Sequence, residues 1–372
     1  MVLLHYCLCE SCVKNTAVQS NYNRQKCGFA VADGYESVLS MHEKNTMFDR
    51  DKVLICTMPY VKTRCFRRNA ADMKQFIAIM LIIILTLSLS GCIAKPNSTD
   101  TDTRTSERYQ YELKSAHRVA GRQGICAEGE YYWVSGSTTL TKYDRNWNVV
   151  SENTDPFKAC EIEVNHIGDI DVYHNELYLG VEFFVDGVGR NIQVAVYDGN
   201  TLELKRVFPF RADTGQLECS GIAVDPDSRT VYMSSWIDDE SSSFLYMYDL
   251  DTGDYKGRLL MQPVPKWLQG VAYYNGSLYI TCDDGDAEHN DPDHMYRVDI
   301  RSDQNAADVV LERSFTDVIR QGEIEGLSFD REKNQLLLLY NRGARIVQGM
   351  PTGYYEGYTE EIHEIFLYDM NP

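Results

Sequence analysis

With 55 acidic against 36 basic residues, the 372-residue chain carries a formal charge of −19, and a nucleic-acid partner is not expected, because phosphate binding needs clustered Lys and Arg. Residues 1–72 carry +3 and residues 73–372 carry −22, so the acidity belongs to the larger part. The length suits either two domains or one large all-β domain.

Residues 1–72 show no period and hold six of the eleven cysteines: Cys7, Cys9, Cys12, Cys27, Cys56 and Cys65. Cys7, Cys9 and Cys12 have the spacing of a partial zinc site, but no second pair completes four ligands. The segment is expected to be a non-native extension, with translation starting at Met73. Met73-Lys74-Gln75 forms a short charged head, and Phe76 to Leu89 is an almost unbroken apolar run. Such a run is too short to span a bilayer comfortably and right for the core of a signal peptide over 73–92. An internal transmembrane helix is the alternative.

The run ends in Leu89-Ser90-Gly91-Cys92, which resembles the lipobox of bacterial lipoproteins. That resemblance implies cleavage before Cys92 and acylation of its thiol and amine. It therefore implies a palmitate-type anchor in the cell membrane with the protein on the extracytoplasmic face. Two acyl chains anchor stably, whereas one binds reversibly. Residues 93–107, IAKPNSTDTDTRTSE, are polar and read as a flexible tether.

From residue 108 onward the sequence repeats. Tyr109 to Leu113 alternates as a strand does. Gly124, Gly168, Gly221, Gly270 and Gly326 then each open a hairpin, at intervals of roughly 45–55 residues, the period expected of propellers. The clearest copy is Leu268 to Asp284, LQGVAYYNGSLYITCDD, where Asn275-Gly276 is a strong hairpin-turn signal. A second strand pair with an aspartate turn follows in each copy, at Asp144, Asp198, Asp249, Asp299 and Asp369. Four strands in each of five copies predict an all-β, five-bladed β-propeller over 108–372. The last copy ends with almost no chain left, so the 108–119 strand is expected to complete its sheet and remove the free edge. Cys126, Cys160, Cys219 and Cys282 remain in this part. An exported location permits disulfides among them, while the strand positions of Cys126 and Cys282 suit free buried thiols equally.

Propeller topology brings residues before each repeat glycine, and residues after each second strand, to one mouth of the central channel. The first set is Gln123, His166 with Asp169, Glu218, Gln269, and Glu323 with Glu325. The second is Ser135, Glu182, Trp236, Asp283 with Asp284, and Asn341 with Arg342. Carboxylates gathered in a partly dehydrated funnel repel, and a bound cation, raised pKa values or a basic ligand relieves that repulsion. His166 is the candidate general base with Asp169 as its orienting partner, and Glu325 is a further catalytic candidate. Glu182, Glu218, Gln269, Trp236, Asn341 and Arg342 are candidate ligand contacts. Asp283, Asp284, Asp286 and Glu288 form an acidic run with oxygen ligands of the kind that hold Ca2+, though not at EF-hand spacing.

The texture of Gln269-Gly270-Val271 and of Tyr248-Asp249-Leu250-Asp251-Thr252-Gly253 resembles the loose superfamily of bacterial propellers. That superfamily includes glutamine cyclotransferase, gluconolactonase and quinoprotein-like proteins. The resemblance implies a five-bladed, acid-lined disc, and on the gluconolactonase side a central divalent metal for which Glu325, Asn341 and Asp283 are suitable types. Three functions follow as expectations. The first is an anchored protein that binds a small molecule, glycan or protein at the acidic mouth. The second is a metal-assisted hydrolase or cyclotransferase using the same mouth. The third is a scaffold without a small ligand. Oligomeric state is not readable from the sequence.

Overall fold

The computed structural model describes residues 108–237, 240–301, 305–318, 321–347 and 350–371. The expected extension over 1–72, the signal with Cys92, and the tether over 93–107 lie outside the described residues.

The chain begins with β1 (Gln110–Arg118) and then builds blade one from β2 (Gly124–Glu128), β3 (Tyr131–Gly136), β4 (Thr139–Asp144) and β5 (Val149–Asn153). Blade two is β6 (His166–Tyr173), β7 (Glu176–Val185), β8 (Val188–Asp198) and β9 (Leu204–Val207). Blade three is β10 (Ile222–Asp225), β11 (Thr230–Met233), β12 (Phe244–Asp249) and β13 (Tyr255–Gln262). Blade four is β14 (Leu268–Tyr274), β15 (Ser277–Cys282), β16 (His294–Asp299) and β17 (Ala306–Ser314). Blade five is β18 (Gly322–Asp330) and β19 (Gln335–Arg342), then an inserted hairpin of β20 (Ala344–Val347) and β21 (Met350–Tyr354), then β22 (Ile362–Asn371). Its order is β18-β19-β22-β1, so the first strand of the chain supplies the outer strand of the last blade. The protein is a five-bladed β-propeller of four-stranded blades, as its repeats predict. The outer strands of blades three and four are joined by a short parallel pairing of Leu260–Gln262 with Ala306–Asp308.

Local chemistry explains the hairpins. Asn275 and Gly276 both adopt positive φ, 47° and 82°, which a two-residue turn matched to strand twist requires. His174 and Asn175, at 52° and 58°, do the same in blade two. The repeated aspartates fold the next turn by accepting backbone N–H groups. Asp144 Oδ1 takes Asn146 and Asn148, Asp198 Oδ1 takes Asn200 and Thr201, and Asp249 Oδ1 takes Asp251 and Thr252.

Five buried apolar clusters occupy the five blade–blade interfaces. Ile125, Tyr132 and Val134 of blade one meet Leu337, Leu339 and Ile365 of blade five, so the ring is closed by packing as well as by pairing. Other clusters join blades one and two, two and three, three and four, and four and five. The glycines sit where inner strands nearly touch. A Cβ on Gly168 would fall 1.6 Å from the Cys219 carbonyl oxygen, and one on Gly326 would fall 2.8 Å from Gly124 Cα. The four cysteines of the propeller are free, which settles against disulfides among them.

Candidate functional site

Each inner strand begins at one face of the disc and its partner returns there, so all five blades deliver side chains to a single cavity of about 520 Å³. Blade one contributes Arg122 and Gln123, and blade two His166. Glu218 and Trp236 come from blade three, Gln269 and Asp283 from blade four, and Glu323 and Glu325 from blade five. Eight of these nine were expected from the sequence. Arg122 was not, although it directly precedes Gln123 and the same register argument reaches it. Phe184, Trp267, and Ile346, Val347 and Met350 of the inserted hairpin also line the cavity and give it an apolar rim.

His166 is fixed between two partners. Its Nδ1 lies 3.0 Å from Glu182 Oε1 and its Nε2 lies 2.6 Å from Gln123 Oε1. The second oxygen of the fully buried Glu182 accepts the Cys219 N–H at 3.1 Å. Glu182, not Asp169, therefore orients the imidazole. Asp169 instead lies on the propeller axis, fully buried. Its Oδ1 accepts the Ile170 N–H at 2.8 Å, and its Oδ2 accepts the N–H groups of Ile222 and Val271, both at 3.2 Å. It ties blades two, three and four together, and burial pushes its carboxyl well up against the opposing pull of those bonds.

The remaining carboxyls are poorly hydrated and close to one another. Glu323 Oε1 accepts from Gln269 Nε2 at 2.8 Å. Burial lifts Glu323 to about 7, with the Arg122 guanidinium opposing the rise. Burial, and then the charge of Glu323, push Glu325 well above the ordinary range. Among the described residues Glu325 Oε1 has no hydrogen-bond partner, although the residue is only 4% exposed. Burial with the charges of Glu323, Asp293 and Asp284 raises Asp283. Glu218, whose Oε2 accepts the Trp236 N–H at 3.0 Å, is raised by burial and by Glu182.

These shifts have a sign that stability must follow. A carboxyl whose pKa rises on folding binds its proton more tightly in the native state. Its contribution is complete below the unfolded value and is lost as pH climbs through the folded value. Asp171 is lifted to about 6, and Glu323 and Asp293 to about 7, each chiefly by burial. The melting temperature is therefore expected to fall as pH rises from about 5 to about 8, opposite to the trend of proteins held by paired carboxylates. A calorimetric pH series measures this, and a melting temperature that climbs over that window contradicts it.

Several expected residues do not reach the cavity. Asn341 is fully buried within β19 and absent from the lining. Arg342 pairs with Glu364 and donates to the Tyr358 hydroxyl. Ser135 Oγ accepts the Gly124 N–H at 3.0 Å.

The expected Ca2+ set does not assemble around a point. Asp284 accepts from the Tyr296 hydroxyl at 2.6 Å and lies 2.7 Å from His294 Nδ1. Asp286 accepts the N–H groups of Glu288 and His289 and lies 2.6 Å from His289 Nδ1. Glu288 pairs with Arg345, and only Asp283 of the four faces the mouth. Among the described residues, no three His, Cys, Asp or Glu side chains are grouped so as to hold a metal ion.

Neither a family model nor a curated protein matches the chain. Solved structures do. Glutaminyl cyclase of Myxococcus xanthus aligns at 10% identity and a TM-score of 0.47, over 71% of this chain and 97% of the cyclase. Hydrazine synthase of Kuenenia stuttgartiensis aligns at 13% identity and a TM-score of 0.37, over 66% of this chain and 62% of that one.

Proposed function

We propose that the propeller binds a small molecule at its acidic mouth. The observation that carries this reading is a cavity of about 520 Å³ whose floor holds Glu325 with an unfilled carboxyl oxygen. That volume lies in the range of ligand pockets, and an apolar rim over a few convergent polar groups is their usual composition. A melt screen with a metabolite library tests it. Stabilising compounds should lose their effect in Trp267→Ala, whose indole is half exposed, and a library without any stabilising compound contradicts the reading.

A metal-free enzymatic reading has one observation in its favour. Glu323, lifted to about 7 beside the more strongly raised Glu325, forms an acid–base pair suited to neutral pH. The reaction classes it would serve are lactone hydrolysis and cyclisation of a glutaminyl amine. Under this reading Glu323→Gln loses turnover by about 100-fold or more while still binding substrate, the scale of a lost general acid or base. An unmodified protein without turnover on either substrate leaves binding as the function.

Anchoring through Cys92 on the extracytoplasmic face is part of the same proposal and rests on the Leu89-Ser90-Gly91-Cys92 pattern. Cys92→Ala should move the protein from the membrane to the soluble fraction and abolish incorporation of labelled palmitate. Unchanged fractionation and labelling count against the anchor.

A further inference from the structure

Resting on the mouth as a small-molecule site, we propose that the ligand is a protonated primary amine on an apolar body, its ammonium on the Glu323–Glu325–Asp283 floor and its body against Trp236 and Trp267.

The first argument is the balance of groups in one cavity. Glu218, Asp283, Glu323 and Glu325 line it, and Arg122 is the guanidinium set among them. The charge of Arg122 acts on Glu323 and Glu325. One guanidinium leaves most of the carboxyl charge uncompensated whenever those groups ionise. Gln123 supports the Glu325 carboxyl from the side, but among the described residues Glu325 Oε1 itself, buried in the cavity lining, has no donor. A buried acceptor left unmade is costly, and a ligand N–H that reaches it recovers that cost.

The second argument is the wall. Trp236 and Trp267 stand with ring centroids 5.9 Å apart, and Trp267 remains 51% exposed at the mouth. Phe184 and Ile346 extend the apolar surface. Aromatic faces attract cations as well as apolar bodies, so one ligand with an ammonium head and an apolar flank satisfies both floor and rim. An ammonium also suits this floor better than a metal ion. Its three N–H donors can reach separate carboxyls, whereas a metal needs a convergent donor set, and none is formed among the described residues.

The site then couples to pH. Glu325 is faced by Glu323 on its own strand, by Arg122 and Gln123 of blade one, and by Asp283 of blade four. Glu361 adds its charge to Glu323, and Glu218 and Glu182 interact across the blade-three side beside His166. An ammonium displaces protons from this set, so amine affinity rises with pH until the amine itself deprotonates.

Calorimetric titration of the purified protein with tryptamine, tryptophol and methyl glucoside tests the assignment. Tryptophol carries the same indole and ethyl chain as tryptamine with a hydroxyl in place of the ammonium. Tryptamine is expected to bind at least about tenfold tighter than tryptophol at about pH 8, the scale of a desolvated charge pair, and the ratio is expected to shrink at about pH 5.5. Glu325→Gln should lower tryptamine affinity by about tenfold and leave tryptophol affinity within about twofold. The ratio on unmodified protein decides the matter even if that variant fails to fold. Equal affinity for tryptamine and tryptophol, or preferential binding of methyl glucoside, overturns the amine while keeping the mouth as a binding site. Failure of all three probes to bind overturns the amine, and a blank metabolite screen beside it overturns the site as well.

Discussion

Removal of residues 108–118 is expected to abolish cooperative unfolding of the whole propeller instead of loosening one edge. β1 pairs with β22 from Gln110 opposite Asn371 to Arg118 opposite Glu364. Its Tyr111 is buried in the cluster shared by blades four and five, and the Tyr111 hydroxyl donates to Glu312 of blade four at 3.0 Å. Arg108 adds its own N–H to the same carboxylate at 2.8 Å. The deletion exposes the edge of β22 and opens the interface beneath it. A ring has no spare interface to absorb that loss, and the total stability of a domain is only about 5–15 kcal/mol. Calorimetry on the deleted chain should show no two-state transition. A single sharp melt near that of the intact protein contradicts closure by this strand.

Replacing Asp169 is expected to be the most damaging single substitution at the centre of the disc. Asp169→Ala orphans the N–H groups of Ile170, Ile222 and Val271 where water has no room. Each unmade buried donor costs about 1–3 kcal/mol, so the loss should reach about 3–6 kcal/mol after partial relaxation. Asp169→Asn should cost less but not little. Its amide oxygen can accept on one side, while its NH2 group turns two donors against two donors on the other. Urea unfolding measures both, with a lowered midpoint and unchanged slope expected. A shift below about 1 kcal/mol for Asp169→Ala contradicts the axial role, because that is the worth of a single exposed hydrogen bond.

The contrast between Asp169 and Glu182 shows where the sequence stops being legible. Strand identity is local chemistry. Asn275-Gly276, the turn aspartates and the repeat glycines each announce themselves, and the five blades and the closing strand follow from them. Register is less visible. Counting outward from the His174-Asn175 turn without interruption pairs residue 166 with Phe183. A bulge between Ile167 and Asp169 shifts the pairing by one. That one residue brings Glu182 to His166 and sends Asp169 into the axis. The mark of such a bulge is the repeat glycine itself, since the register also shifts beside Gly270 and across Gly326, and at Gly168 the backbone of Cys219 leaves no room for a side chain.

The acidic loop shows a second limit, set by local pairing. Asp284, Asp286 and Glu288 alternate as metal ligands do, yet each finds a nearer partner in Tyr296 and His294, His289, or Arg345. Polar residues in a loop satisfy themselves locally first. The apolar rim from β20 and β21 was missed because the hairpin is an insertion that interrupts the repeat between the second and third strands of blade five.

The pairing of Gln110 with Asn371 also sets an order in time. On the ribosome, β1 emerges well before its partner β22, which lies at the far end of the propeller. Until β22 has emerged, Leu337, Leu339 and Ile365 cannot complete their packing with Ile125 and Tyr132, and greasy surfaces on the first and last blades stay unburied. Ring closure is thus a late step of assembly, and helpers that shield apolar surface should matter most before β22 appears.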